Sequence, residues 1–147
     1  MKLYHFTSRF HMPLLLARRA IKTTHNNLHP VKQIGPEVVW LTNLGSYEMQ
    51  LWAEGSVVNK AEFRITVELP EGQAHHWPIW SRKHGIDEGW YEALGQCGVP
   101  QSWFVVERPI GINEWVSVER FSFATRFYES VPRELWITAG DLQGASA

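Results

Sequence analysis

Residues 113–121 read Asn-Glu-Trp-Val-Ser-Val-Glu-Arg-Phe and contain the pattern from which the fold can be worked out. Successive side chains of a strand point to opposite faces, so Glu114 falls on the same face as Val116 and Val118. A carboxylate on the apolar face of a strand costs free energy unless it binds something. We therefore interpret Glu114 as a candidate functional residue.

A second strand with a polar group on its apolar face lies at the start of the chain. Residues 3–7 read Leu-Tyr-His-Phe-Thr, and His5 lies between Leu3 and Thr7 on one face. An inward imidazole, like an inward carboxylate, is costly unless it binds something. The two strands together indicate a binding site in a sheet.

The rest of the chain predicts further strands with short helices between them. Alternation of polar and apolar residues, or short β-branched and aromatic runs, predicts strands at residues 2–7, 38–42, 63–69, 103–106, 114–118 and 135–137. Helices are predicted from Pro13 to Ala20, after Ser46 with Tyr47, Leu51 and Trp52, and after Asp87 with Trp90 and Leu94. Pro109 and Gly111 are predicted to form a turn. This arrangement is typical of an α+β domain with an antiparallel sheet.

Length and composition indicate one domain in a reducing compartment. The chain has 147 residues, of which 44% are hydrophobic, and a net charge of -1 with scattered Lys and Arg. Cys97 is the only cysteine, which excludes an intrachain disulfide. The apolar run at residues 14–17 is too short to span a membrane. We expect a cytoplasmic protein without a membrane partner, a single domain over residues 1–140 and a flexible tail at residues 141–147.

Motifs for metal ions and for phosphate loops are missing from the sequence. The histidine pairs His25 with His29 and His75 with His76 lack a carboxylate or thiolate at a ligand spacing, so no metal site is predicted. The chain has neither a Gly-x-Gly-x-x-Gly fingerprint nor a Gly-Lys-Ser/Thr loop. A nucleotide would therefore have to bind in a cleft of the sheet.

Three segments resemble the ADP-ribosyltransferase superfamily. Residues 3–7 resemble its opening strand, where a histidine is followed by a variable residue and then Ser or Thr, and residues 38–42 resemble its second core strand, which carries an aromatic residue. Residues 113–116 resemble the Asn-Glu-Tyr-aliphatic segment of the poly(ADP-ribose) polymerase branch, whose signature is His-Tyr-Glu. The resemblance implies a split, two-sheet antiparallel fold with short helices and NAD as the substrate bound between the sheets.

The resemblance also implies a role for each polar group. Glu114 would be the catalytic carboxylate, which stabilises the cationic ribose that forms when nicotinamide leaves. His5 would hydrogen-bond the adenosine ribose, Thr7 would contact the other ribose, and the backbone around Phe6 would hold the nicotinamide amide. Glu107, Glu119 and Glu129 are the competing carboxylates.

Two aromatic residues are candidates for stacking on the nicotinamide. Trp40 stands in the place of the signature tyrosine, which keeps an aromatic face but removes the hydroxyl, and Tyr47 follows it in sequence. A cationic ring stacks favourably on an electron-rich aromatic face. We expect one of the two to form the wall against which nicotinamide packs.

The sequence therefore predicts an NAD-dependent mono-ADP-ribosyltransferase that modifies a protein or nucleic-acid acceptor, in the manner of a housekeeping modifier, a toxin or a phage effector. Ile112 stands where arginine-modifying members have Glu or Gln, so arginine is disfavoured as the acceptor. Three alternatives stay open: an NAD glycohydrolase, an RNA 2′-phosphotransferase, and a catalytically inactive member that binds a partner through the same cleft.

Overall fold

The computed structural model of the protein describes residues 1–138 and residue 141. The described strands are β1 (Lys2–Thr7), β2 (Ala20–Ile21), β3 (Val39–Thr42), β4 (Phe63–Glu68), β5 (His75–His76), β6 (Trp103–Val106), β7 (Ile110–Gly111), β8 (Trp115–Ser122) and β9 (Phe127–Ser130). The described α-helices are α1 (Met12–Arg18), α2 (Trp77–Lys83) and α3 (Glu88–Gly95). The predicted α+β class with an antiparallel sheet is confirmed.

The strands form one large sheet and one small one. The order in the large sheet is β5-β6-β3-β1-β4-β8-β9, with every neighbouring pair antiparallel, and β2 pairs separately with β7. β1 is paired with β4 along its whole length, from Lys2 opposite Glu68 to Thr7 opposite Phe63. Its register with β3, however, is confined to Tyr4 opposite Thr42. The large sheet therefore parts between β1 and β3 beyond Tyr4.

Buried side chains form two clusters. The first lies between the sheet and α1 and is centred on Leu3, Ile65, Val67, Val118 and Leu15. The second lies under α2 and α3 and contains Trp77, Trp80, Tyr91 and Val105. Burying large aromatic and aliphatic side chains of this kind stabilises the fold by about 1.5–3 kcal/mol each. The two clusters hold β1 and β3, the strands on either side of this gap in the sheet, in fixed positions.

Most of the predicted elements are confirmed. β1, α1, β3, β4, β6 and α3 lie within a few residues of their predicted bounds. Pro13 occupies the first turn of α1, and the Asp87 side chain accepts the backbone N–H of Trp90 as the N-cap of α3. Proline and aspartate at helix starts are the signals that made these two helices predictable.

The segment after Ser46 is a correction, because it contains no α-helix. It forms two 3-10 turns, Tyr47–Met49 and Leu51–Ala53, and the Ser46 side chain caps neither. Gln50 separates the two turns, and its side-chain amide donates to the carbonyls of Leu44 and Ser46 at 2.8 Å. These bonds hold the segment as a compact loop, so the apolar spacing did not produce a helix.

The end of the chain is also corrected. Residues 135–137 are not a strand: Arg133–Leu135 is a 3-10 turn. The last strand among the described residues is β9, which contains Tyr128 and the competing carboxylate Glu129 and is not among the predicted strands. Within the predicted tail at residues 141–147, only Asp141 lies among the described residues. Its carboxylate accepts the Thr138 backbone N–H at 2.7 Å and pairs with Arg19, so that residue is anchored.

A β-bulge overturns the predicted facing of Glu114. The register between β4 and β8 shifts at Thr66/Val67, so that Trp115 lies opposite Val67 while Ser117 lies opposite Thr66. Val116 occupies the extra position and is 51% exposed. A bulge places two residues of one strand against one of its partner and so breaks the alternation. Glu114 lies in the 3-10 turn Ile112–Glu114 before β8 and shares no buried face with Val116.

Candidate functional site

A cleft with a volume of about 440 Å³ opens where β1 and β3 part. This volume is within the range of about 300–1,000 Å³ that is typical of sites for small molecules and cofactors. Most of the lining is apolar and comes from β1, α1, β3 and the loops beside them. Apolar and aromatic residues of the lining include Phe6, Leu14, Leu15, Ile21, Trp40, Leu41, Trp52, Leu94 and Trp103. The sequence-predicted residues His5, Phe6, Thr7 and Trp40 are all brought together in it.

His5 spans the parting between the two strands. Its Nδ1 lies 2.9 Å from the backbone carbonyl oxygen of Trp40. A carbonyl only accepts, so Nδ1 carries the proton and donates. Burial lowers the pKa of His5, while the bond to Trp40 opposes this shift more weakly. The ring is therefore neutral at physiological pH, and Nε2, which has no hydrogen-bond partner among the described residues, is an acceptor for a ligand.

The lowered pKa of His5 predicts acid sensitivity. Above its ordinary value of 6.5 the ring is neutral in both folded and unfolded chains, so its contribution to stability is complete. As the pH falls below that value the unfolded chain binds a proton before the folded protein does, and stability is lost until the lowered pKa is passed. Urea unfolding at about pH 7.5 and about pH 5.5 should show a larger loss for the wild type than for His5→Gln. An equal loss in the two proteins would contradict this.

Trp40 is part of the core and of the cleft wall at once. Its ring centroid lies 4.6 Å from that of Trp77 and 6.1 Å from that of Trp103. Its Nε1–H donates to the carbonyl of His25 at 3.0 Å. The indole is half-buried and fixed on three sides, so it presents a rigid aromatic surface to the cleft.

Trp52 is a second aromatic wall, which the sequence placed on a helix and did not identify as a site residue. Its ring meets Phe6 edge-on at 6.5 Å, and its Nε1–H donates to the Gln50 side chain at 3.0 Å. The 3-10 turn Leu51–Ala53 carries it to the cleft. No sequence signal identifies Trp52 as a site residue, because only the loop conformation brings its ring to the cleft.

Tyr47, the other predicted stacking residue, does not line the cleft. Its ring stacks on Phe121 with centroids 3.9 Å apart and an interplanar angle of 13°. Phe123 and Tyr128 complete an aromatic group at the β8–β9 end of the sheet. Tyr47, the alternative to Trp40 as the stacking residue, therefore lies outside the described lining of the cleft, because the short turns that follow Ser46 direct its ring to this aromatic group.

Glu114 also lies outside the residues that line the cleft. Its two carboxylate oxygens accept from the Arg108 guanidinium at 2.7 and 2.8 Å, and one of them also accepts the Gly111 backbone N–H at 3.2 Å. The contact with Glu114 raises the pKa of Arg108. The expectation that His5, Trp40 and Glu114 share one cleft therefore holds for the first two alone. Glu114 instead stabilises the segment between β6 and β8, because it binds Arg108 and Gly111 of that segment.

No carboxylate takes its place in the described lining of the cleft, which contains neither Asp nor Glu. Glu107 accepts the Trp80 Nε1–H at 2.8 Å, Glu119 is buried with Arg64, and Glu129 accepts from Thr125. Charged lining residues are instead the cations Arg18 and Lys22. The cleft thus combines aromatic walls, neutral hydrogen-bonding groups and positive charge.

The described residues contain neither a metal-ligand cluster nor a membrane-spanning helix. Among residues 1–138 and 141, no group of three or more His, Cys, Asp or Glu side chains could hold a metal ion. In the same part of the chain, every helix is too short or too polar to cross a membrane.

Comparison of the chain with known protein families, with curated proteins and with solved structures finds no match. The resemblance to ADP-ribosyltransferases therefore stays a prediction that depends on the residues of β1, β3 and the segment before β8.

Proposed function

We propose that the protein binds NAD in the cleft between β1 and β3 and that recognition of the dinucleotide, rather than ADP-ribose transfer, is its activity. The observation that carries this proposal is that the Trp40 ring and His5, whose Nε2 has no hydrogen-bond partner among the described residues, line one cleft of about 440 Å³. A ribose hydroxyl donates to Nε2, and a heteroaromatic ring of the ligand packs on the indole. The parting of the sheet at this place is what a split, two-sheet fold of the ADP-ribosyltransferase type would require.

The electrostatics of the cleft favour binding over bond cleavage. Breaking the bond between nicotinamide and ribose develops positive charge on the sugar, which a fixed negative charge must stabilise. The described lining contains no carboxylate, and Glu114 is held in a two-point ion pair with Arg108. NAD hydrolysis has the same requirement as transfer and is disfavoured for the same reason. RNA 2′-phosphotransfer needs several arginines, whereas Arg18 is the single arginine of the described lining.

ADP-ribose transfer to a protein or nucleic-acid acceptor stays the second candidate. It is favoured by the placement of His5, Thr7 and Trp40 around one cleft, which is the arrangement that the family resemblance implies. For it to occur, a carboxylate would have to come from the acceptor or from a rearrangement that releases Glu114 from Arg108.

Calorimetric titration with NAD, run beside a nicotinamide-release assay, tests the two candidates. We expect the wild type to bind NAD without releasing nicotinamide. His5→Leu should weaken binding about 2–10-fold, because one hydrogen bond to an uncharged group contributes about 0.5–1.5 kcal/mol. Glu114→Gln is the control and should leave NAD affinity unchanged, since that side chain lies outside the lining.

The outcomes separate the candidates cleanly. Nicotinamide release by the wild type that is lost in Glu114→Gln would make transfer or hydrolysis the activity and would overturn the binding-only proposal. A folded wild-type protein that shows no heat of binding with NAD would overturn both candidates.

A further inference from the structure

We infer that Arg18 and Lys22 form an anion-binding pair at the mouth of the cleft, and that the ligand is recognised through its phosphates, so that nucleoside diphosphates and dinucleotides bind while nucleosides do not. This inference rests on the proposed function, because it names the part of the nucleotide that the rim of the same cleft reads.

The chain places both side chains at the rim. Arg18 is the last residue of α1, one turn after Leu15, and residues three apart on a helix lie on the same face. Lys22 directly follows Ile21, whose strand β2 is fixed by pairing with β7. Leu15 and Ile21 are buried and line the cleft, while Arg18 and Lys22 line it and are exposed. The apolar members therefore form the inner wall and the cations its outer edge.

Arg18 is distinguished from the other arginines by what it does not contact. The chain has nine arginines, and within residues 1–138 and 141 seven of them form ion pairs with carboxylates, namely Arg9, Arg19, Arg64, Arg82, Arg108, Arg120 and Arg126. Arg133 lies over the ring of Trp136. Arg18 makes neither kind of contact in the described part of the chain. Its guanidinium is therefore available for a bidentate contact with a phosphate.

The surroundings of the two cations favour an anion. The described lining of the cleft contains no Asp or Glu that would neutralise Arg18 or Lys22. Thr24 and Asn27 also line the cleft and add neutral polar groups. The inner wall with His5 and Trp40 is left to hold a ribose and a ring.

The test compares adenosine, which lacks phosphate, with three ligands that carry the same adenosine and a diphosphate. Adenosine, ADP, ADP-ribose and NAD are titrated into the wild type and into the double variant Arg18→Gln/Lys22→Gln at low and high salt. The charge-matched control is Lys32→Gln/Lys60→Gln, since both lysines are exposed and lie outside the lining. We expect the Arg18/Lys22 variant to lose at least about tenfold in affinity for ADP, ADP-ribose and NAD, because charge-assisted hydrogen bonds are lost. The control variant should bind as the wild type does, and salt should weaken binding only where Arg18 and Lys22 are present.

Failure of this inference differs from failure of the proposed function. Equal affinity of the wild type and the Arg18/Lys22 variant for ADP-ribose, or equal binding of adenosine and ADP, would overturn the anion site while nucleotide binding stands. If no nucleotide binds, pyrophosphate is titrated alone. Binding of pyrophosphate to the wild type but not to the Arg18/Lys22 variant would retain the anion site and overturn the proposed function, and no binding to either would overturn both.

Discussion

Replacing Glu119 by alanine is expected to lower the free energy of unfolding by about 3–5 kcal/mol, because it removes one partner of a buried ion pair. The Glu119 side chain is 8% exposed, and its carboxylate accepts from Arg64 Nε at 3.2 Å and from Thr66 Oγ1 at 2.9 Å. The Ser117 hydroxyl donates to it as well. Urea unfolding measures the loss of stability. The comparison requires that the slope of the unfolding free energy against urea concentration is the same in the variant and the wild type.

The expected size of the effect follows from what would be left behind. The Arg64 guanidinium lies 5.0 Å from the ring centroid of Tyr4 and 4.4 Å from that of Tyr128, and its Nη1 donates to the carbonyl of Gly45 at 2.7 Å. The Arg64 side chain is 21% exposed, so water would compensate its charge only in part when Glu119 is removed. A double variant, Arg64→Met/Glu119→Leu, should recover most of the stability, since apolar pairs of similar volume often replace buried ion pairs without loss.

Glu129→Ala on the neighbouring strand β9 is the control. Glu129 is exposed and accepts a hydrogen bond from Thr125, so its removal should change stability by less than about 0.5 kcal/mol. A Glu119→Ala protein that unfolds within the same margin would mean that Arg64 and Glu119 are solvated in solution.

The fold was predictable where one local rule determined the structure. In β4 polar and apolar residues alternate without interruption, and β1 pairs with it over six residues without a shift. The N-cap Asp87 and the early Pro13 defined two helices. α2 is not among the predicted helices although Pro78 stands in its first turn, because His76 at its N-cap position makes no side-chain capping bond of the kind that marks a helix start.

The candidate site shows the limit of the same rules. Alternation assigns faces only while the register holds, and the shift at Thr66/Val67 moves Val116 to the surface and leaves Glu114 in a turn. A bulge has no signature in this sequence, so the error in placing Glu114 follows from tertiary pairing. His5 could be predicted because β1 is regular. Trp52 and Lys22 could not, since loops and a two-residue strand bring them to the cleft.

Trp40→Ala is expected to abolish NAD binding and to lower the free energy of unfolding by up to about 3 kcal/mol, the lower end of the range for deleting a buried aromatic side chain, because the indole is half-buried. The indole packs on Trp77 and Trp103 in the second core cluster, and its other surface lines the cleft. Because one change removes both contributions, this variant alone does not separate a core role from a ligand role.

A pair of conservative variants separates them. Trp40→Phe and Trp90→Phe each remove an indole whose Nε1–H donates to a loop carbonyl, that of His25 at 3.0 Å and that of Asn27 at 2.9 Å, and both rings pack on the second cluster. Their losses of stability in thermal melts should therefore be similar. Only Trp40 lines the cleft, so Trp40→Phe should weaken NAD binding and change the quenching of tryptophan fluorescence by the ligand, whereas Trp90→Phe should do neither. Normal affinity and normal quenching in Trp40→Phe would mean that the indole serves the core alone, and Trp52, the other aromatic wall of the cleft, would then be the stacking partner to test.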